Sequence, residues 1–207
     1  TYSDGANTIL EMANMAYTIG FNYLFITDHS YDIDNNEVPP HNSSKWQNIG
    51  IDCANVTTSV FSCIRGEEIS CDEENSGGVD IMHYLAYDID LCVGSVHPVL
   101  PDYFPSMPDF EDYWVNDETV FDYVEIQQGG FGVVAHPNAL AWGCGATLGV
   151  VGPGDGYGIE AWNGSGNVRS FDKWQERLDY DYYCYAYGNS DAHSISDLGS
   201  VWTWTHV

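Results

Sequence analysis

Tyr23-Leu24-Phe25-Ile26-Thr27-Asp28-His29 is an apolar run that closes on a polar, imidazole-bearing turn. The pattern returns twice. Phe131-Gly-Val-Val134 leads into Ala135-His136-Pro137, and Tyr182-Tyr-Cys-Tyr-Ala186 precedes Ser190-Asp191-Ala192-His193. Short apolar runs bounded by turn residues read as strands. Three His-bearing turns at the C-terminal ends of three strands predict one metal site, gathered at one end of a barrel-like sheet.

Working outward, residues 8–19 read as a helix, with Leu10, Ala13, Ala16 and Tyr17 at helical spacing and Gly20 as a stop. Residues 31–48 are polar and rich in Asn, Asp, Pro and Ser, and read as a long loop. Segments 56–69 and 79–87 read as extended. Residues 94–113, with four prolines, and the glycine-rich 141–157 read as loops. A helix is expected over 118–128 and another over 169–178, with short strands at 158–162 and 201–205. Helices alternating with apolar strands argue a mostly parallel α/β architecture. No linker or repeat interrupts the chain, so residues 1–207 read as one domain.

Composition narrows the function. There are 207 residues, 44% of them hydrophobic, which suffices for a real core. No run has the apolar length of a transmembrane helix. Against 31 acidic residues stand five cations: Lys45, Arg65, Arg169, Lys173 and Arg177. A net charge of -26 argues against nucleic acid as a partner, because phosphate binding needs a basic surface. Most of the acids read as a solvated surface that resists aggregation. The six cysteines (53, 63, 71, 92, 144, 184) contain no C-x-x-C pair, so a zinc ribbon is not indicated. An even cysteine count, a start at Thr1 rather than Met, and sequons at Asn42, Asn55 and Asn163 together favour an extracellular or cell-surface glycoprotein with disulfides. The alternative for the cysteines is free, buried thiols.

The candidate ligands, in order, are Asp4, His29, Glu68, His83, His136, Asp191 and His193. Each lies at or just beyond an expected strand, or in the opening loop. Mixed imidazole and carboxylate ligation suits zinc, manganese or iron rather than calcium. Glu68 and its neighbour Glu67 point to opposite faces of one strand, so only one of them can join the set.

Tyr2-Ser-Asp-Gly5, Thr27-Asp-His29, Gly66-Glu-Glu68, the His83 string, Ala135-His-Pro137 and Ser190-Asp-Ala-His193 resemble, in order, the motifs of the PHP (polymerase and histidinol phosphatase) domain. Gly158-Ile-Glu-Ala-Trp-Asn-Gly164 and Trp202-Thr-Trp204 are similar to the carbaryl-hydrolase-like branch of metallohydrolases. The resemblance implies a distorted, TIM-like (β/α)7 barrel holding two to three divalent metals. It implies one metal on Glu68, His83 and His136, and another on Asp4, His29 and His193. A third would use Glu68 and Asp191 with a His-x-His pair that the family carries just before the Ser-Asp-Gly string. That pair is not in this chain, which leaves two expectations: it precedes Thr1, or one subsite is missing.

Two functional readings follow from the resemblance. The first is a metal-dependent hydrolase of phosphoester, ester or amide bonds in a small-molecule substrate. It would act through a metal-activated water, with Glu68, Asp191 and His193 carrying the chemistry. The second is a non-catalytic, secreted, glycosylated subunit that keeps the barrel as a scaffold and self-assembles into an extracellular filament or surface layer.

Overall fold

The structure is a computed structural model that describes residues 2, 4–33, 43–72, 81–92, 124, 128–138, 158–179 and 184–203. The expected loops at 94–113 and 141–157, nearly all of the expected helix at 118–128, and the sequon at Asn42 lie outside the described residues.

Helix α1 (Ile9–Thr18) opens on a capping box: the Thr8 hydroxyl accepts from the Glu11 amide, and the Glu11 carboxylate accepts from the Thr8 amide at 2.8 Å. Ile9, Ala13 and Ala16 fall on one buried face. Gly20, at φ +99°, lets the chain reverse into strand β1 (Tyr23–His29). A short turn of helix, α2 (Ser30–Ile33), follows, and then α3 (Ser44–Val56), capped by the Ser43 hydroxyl on the Trp46 amide. These two helices correct the expectation of a loop over 31–48. They also correct the extended reading of residue 56, which ends α3.

Strand β2 (Ser62–Asp72) pairs in parallel with β1, and β3 (Ile81–Tyr87) runs antiparallel to β2. Strand β4 (Phe131–Val134) is antiparallel to β3, and β5 (Gly158–Asn163) is parallel to β4. Strand β6 (Val168–Arg169) turns back on β5, helix α4 (Phe171–Asp179) follows, and β7 (Tyr185–Asn189) joins β5 in parallel. Among the described residues half of the pairings are therefore antiparallel, which corrects the expectation of a mostly parallel sheet. The physical reason is local: residues 73–80 are too few to make a parallel crossover, so β3 must run back along β2. Residues 201–203 are not a strand. Thr203 instead spans two strands, its Oγ1 accepting from the Gly188 amide of β7 at 2.8 Å and its carbonyl accepting from the Tyr23 hydroxyl of β1 at 3.1 Å.

The sheet is a curled half-barrel with two apolar layers. Outside it, Ala13 and Ala16 of α1 and Trp46, Ile49 and Cys53 of α3 pack on Cys63 and Ile69 of β2. Inside the curl, Leu85, Tyr87, Val133 and Ala135 pack with Phe25, Phe131 and Tyr187. Above this inner layer the strands end in polar residues, and there the candidate ligands meet. No described helix is long and apolar enough to cross a membrane.

Candidate metal centre

Period-2 alternation places the ligands. On β1, Phe25 and His29 both line the inner cavity, and on β2 so do Ile64 and Glu68. His29 and Glu68 are register partners on adjacent parallel strands, so their side chains rise side by side. Glu67 is fully buried and does not line the cavity.

Glu68 is the hub. His83 Nδ1 lies 2.5 Å and His136 Nε2 3.5 Å from its Oε1, and His29 Nδ1 lies 3.8 Å from its Oε2. His83 Nδ1 and His136 Nε2 are themselves 3.2 Å apart. Burial raises the Glu68 pKa, but hydrogen bonds from His136 and His83 win and hold the carboxyl well below the usual carboxylate range. Nearer solvent, Asp4 Oδ2 lies 3.2 Å from His193 Nε2 and 3.8 Å from His29 Nε2. Burial lowers the His193 pKa, but Asp191 and Asp4 raise it by more, and the net shift is upward.

The opening segment is pinned to the last turn from both sides. Ala6 N donates to the His193 carbonyl at 2.7 Å, and Ile195 N donates to Asn7 Oδ1 at 3.0 Å. That pinning brings Asp4 to His193. The Ser190 hydroxyl shapes the other side of the same turn by donating to the Val201 carbonyl at 2.8 Å and accepting from the Gly199 amide at 3.2 Å.

Glu160 and Asn163 carry a role that the sequence did not disclose. Residues three apart on a regular strand point to opposite faces. Here the register against β7 slips between Glu160 and Trp162, so Ala161 is the extra residue of a bulge. Both Glu160 and Asn163 then line the cavity. Glu160 Oε2 accepts from the His136 amide at 2.5 Å and from Asn163 Nδ2 at 3.0 Å, and the same Nδ2 donates to Asp191 Oδ2 at 3.1 Å. His136 (φ +28°) and Asp191 (φ +47°) both hold backbone conformations that non-glycine residues rarely adopt. One buried Glu–Asn pair thus supports two strained positions that the sequence marks as candidate ligands. Burial pushes the Glu160 carboxyl up to about 7 against the opposing pull of Asn163 and His136. Asn163 is 2% exposed, so a glycan on its Nδ2 would displace both hydrogen bonds. Asn55 lies exposed on α3.

Among the described residues, two triads bring one ligand atom each within 4.8 Å of one another: Asp4, His29 and His193, and His29, Glu68 and His83. The donor chemistry fits a divalent transition metal. His136 turns Nε2 toward Glu68 and His83, while its Nδ1 is buried with no hydrogen-bond partner. His29 joins the two triads, whereas the family resemblance divides the ligands so that His136 completes the Glu68–His83 set. His136 lies against both members of that set. Asp191 reaches the site through Asn163 and lies 4.0 Å from His193 Nδ1.

The four described cysteine side chains, Cys53, Cys63, Cys92 and Cys184, are buried free thiols.

No protein-family model matches the chain, and no curated protein matches it. Solved structures do. A two-domain protein from Bacteroides vulgatus, containing a predicted PHP-like metal-dependent phosphoesterase, shares 19% identity at a TM-score of 0.52 over 94% of this chain and 50% of its own. This chain thus spans about half of that protein's length. An amidohydrolase from Chromobacterium violaceum, with bound sulfate and no metal, shares 16% identity at a TM-score of 0.57 over 98% of this chain and 88% of its own. PsfC from Pseudomonas syringae shares 14% identity at a TM-score of 0.54 over 91% of this chain and 69% of its own. At such identities the likeness concerns the fold alone, which this chain shares with all three proteins.

Proposed function

We propose that this chain is a metal-dependent hydrolase acting on a small molecule. The observation that carries the reading is Glu68 standing among His29, His83 and His136 at the polar end of a cavity of about 980 Å³. Asp4, His29, Glu68, His83, His136 and His193 would hold zinc, manganese or iron. A divalent metal there supplies Lewis acidity and lowers the pKa of water. The chain's own residues do the rest. Glu68, kept ionised by its histidines, offers both oxygens as ligands. Asn163 holds Asp191 by Oδ2 and leaves Oδ1 as the atom that accepts a proton during attack on the substrate. The curled wall of Phe25, Tyr87 and Phe131 excludes water from the opposite end.

The finer readings rest on motif order. For the (β/α)7 barrel that is the order of the strand-end motifs, and for the carbaryl-hydrolase-like branch it is Gly158–Gly164 with Trp202-Thr-Trp204. Stripping the protein of metal, reconstituting it with zinc, manganese or iron(II), and assaying generic phosphoesters and aryl esters tests the hydrolase reading. Turnover that requires metal and vanishes in Glu68→Gln is expected. A correctly folded protein that stays inert after metal loading contradicts it.

A second reading, a secreted and glycosylated subunit of an extracellular filament or surface layer, is favoured by the charge of -26 and the exposed sequon at Asn55. Ordered polymers in electron micrographs of the purified protein would support it. A monomer at all concentrations would remove it.

A further inference from the structure

Among the described residues, His29 alone belongs to both candidate triads. Its two ring nitrogens diverge onto different oxygens. Nδ1 lies 3.8 Å from Glu68 Oε2, and Nε2 lies 3.8 Å from Asp4 Oδ2. Such a separation is too long for a hydrogen bond. It is a span that an ion fills. Metal bonds of about 2.1 Å to nitrogen and oxygen, meeting at tetrahedral or wider angles, put the two donor atoms about 3.4–3.8 Å apart. Glu68 Oε1 already faces His83 and His136, so Oε2 is the oxygen turned to His29. On the outer side, His193 Nε2 lies 3.2 Å from Asp4 Oδ2 and completes that set.

The ring is placed by the sheet. His29 ends β1 in register with Glu68 on β2, and its ring meets that of His83 at a centroid distance of 5.2 Å and an angle of 63°. Glu68 and His83 are buried, whereas the side chains of Asp4 and His193 are about half exposed. We infer that His29 bridges two metal ions: an inner one shared with Glu68 and His83 through Nδ1, and an outer one shared with Asp4 and His193 through Nε2. This rests on the metal-binding half of the hydrolase reading and is independent of turnover. A neutral imidazole offers one lone pair to a metal and keeps one N–H. Binding of the second ion therefore sends that ring proton to solvent, and each nitrogen gives its electron pair to one ion. Two dications so close repel each other. The bridging ring, then an anion, lies between them, and the carboxylates of Asp4 and Glu68 flank them, so the repulsion is offset where it arises. The family resemblance divides the ligands differently. It leaves His29 to the outer set and completes the inner one with His136. The two arrangements differ in what the loss of His29 does to the inner ion.

The test is made on the full chain and reads metal rather than activity. Protein carrying nitrogen-15 histidine is loaded with cadmium-113, a spin-active stand-in for zinc, and its imidazole nitrogens are observed by NMR. The expected result is one ring coupled to cadmium at both nitrogens, with that ring's signals missing in His29→Ala. In zinc titrations against a colorimetric chelator, the wild-type chain should hold two ions and Asp4→Ala should keep the inner one. His29→Ala of confirmed fold should bind both at least about tenfold more weakly, since losing even a group that orients a ligand costs that much. Histidine rings that couple at one nitrogen only, or a folded His29→Ala protein that keeps the inner ion at wild-type affinity, overturn the inference and leave the hydrolase reading standing. A bridged pair of ions in a protein inert on every ester and phosphoester upholds the inference and removes the hydrolase reading. A chain that binds neither zinc nor cadmium overturns the inference as well.

Discussion

His136 and Asp191 both sit in backbone conformations that cost a non-glycine residue stability, and both are held there by hydrogen bonds that converge on Asn163 and Glu160. Asn163→Ala is therefore expected to weaken metal binding roughly 10–100-fold, the usual effect of removing a group that orients a ligand. Competition against a chelator of known affinity measures it, and an unchanged affinity would mean that Asp191 needs no such support. Glu160 gives a pH signature. Its pKa is raised to about 7, so the folded state keeps a proton that the unfolded chain has lost above its ordinary carboxyl pKa. The unfolded state binds fewer protons in that window, so metal-free stability falls as pH rises from about 4.5 to about 7. The loss is at most about 3 kcal/mol. Glu160→Gln keeps an acceptor for both amides and should flatten that fall, as melts across the window would show. At this scale the sequence was partly legible. The four histidines, Glu68 and Asp191 stand at strand ends or within strand motifs where their chemistry is visible. Glu160 and Asn163 were not legible, because their shared face depends on a bulge at Ala161 that no residue type announces.

At the scale of elements, α1 could be read from helical spacing and the Gly20 stop, although of the residues that marked its face Ala13 and Ala16 are buried while Leu10 and Tyr17 are exposed. Helix α3 was hidden, since its apolar residues Trp46, Ile49 and Cys53 are separated by polar ones and preceded by turn-like sequence. Tertiary packing against β2 overrides that weak pattern. The direction of β3 was equally invisible, because alternation marks a strand but not its partner's sense. Two consequences can be checked here. Gly132 of β4 lies beneath Tyr84, and a Cβ at that position would overlap the tyrosine ring. Gly132→Ala should cost about 3 kcal/mol, seen as a lowered unfolding midpoint in urea. The second concerns the join of α3 to β2. Cys53 Sγ and Cys63 Sγ are 3.1 Å apart, and Thr57 Oγ1 ties both backbones by donating to the Cys53 carbonyl and accepting from the Cys63 amide at 3.0 Å. Refolding with oxidised glutathione should therefore transfer two electrons to that disulfide and leave Cys53 bonded to Cys63. Trypsin would then release residues 46–65 as one peptide lacking two hydrogens and resistant to alkylation. Linkage of either cysteine to another partner would contradict this.

For the molecule as a whole, charge dominates. With 31 acids against five cations, like-charge repulsion opposes the compact state, and salt screens it. The melting temperature of the metal-free protein should rise with sodium chloride across the physiological range. A flat response would show that the acids are spaced too widely to repel. Acidity also concentrates divalent cations near the candidate site, whose residues come from the opening segment, from β1, β2 and β3, and from the turns after β4 and β7. We propose that these scattered residues form one metal centre. Its most direct test is the metal content of purified, dialysed protein by plasma mass spectrometry, beside Glu68→Gln and His29→Ala variants of confirmed fold. At least one tightly held zinc, manganese or iron per wild-type chain is expected, with most of it lost in both variants. A wild-type chain that holds no transition metal after incubation with each, or variants that retain it in full, would contradict the account.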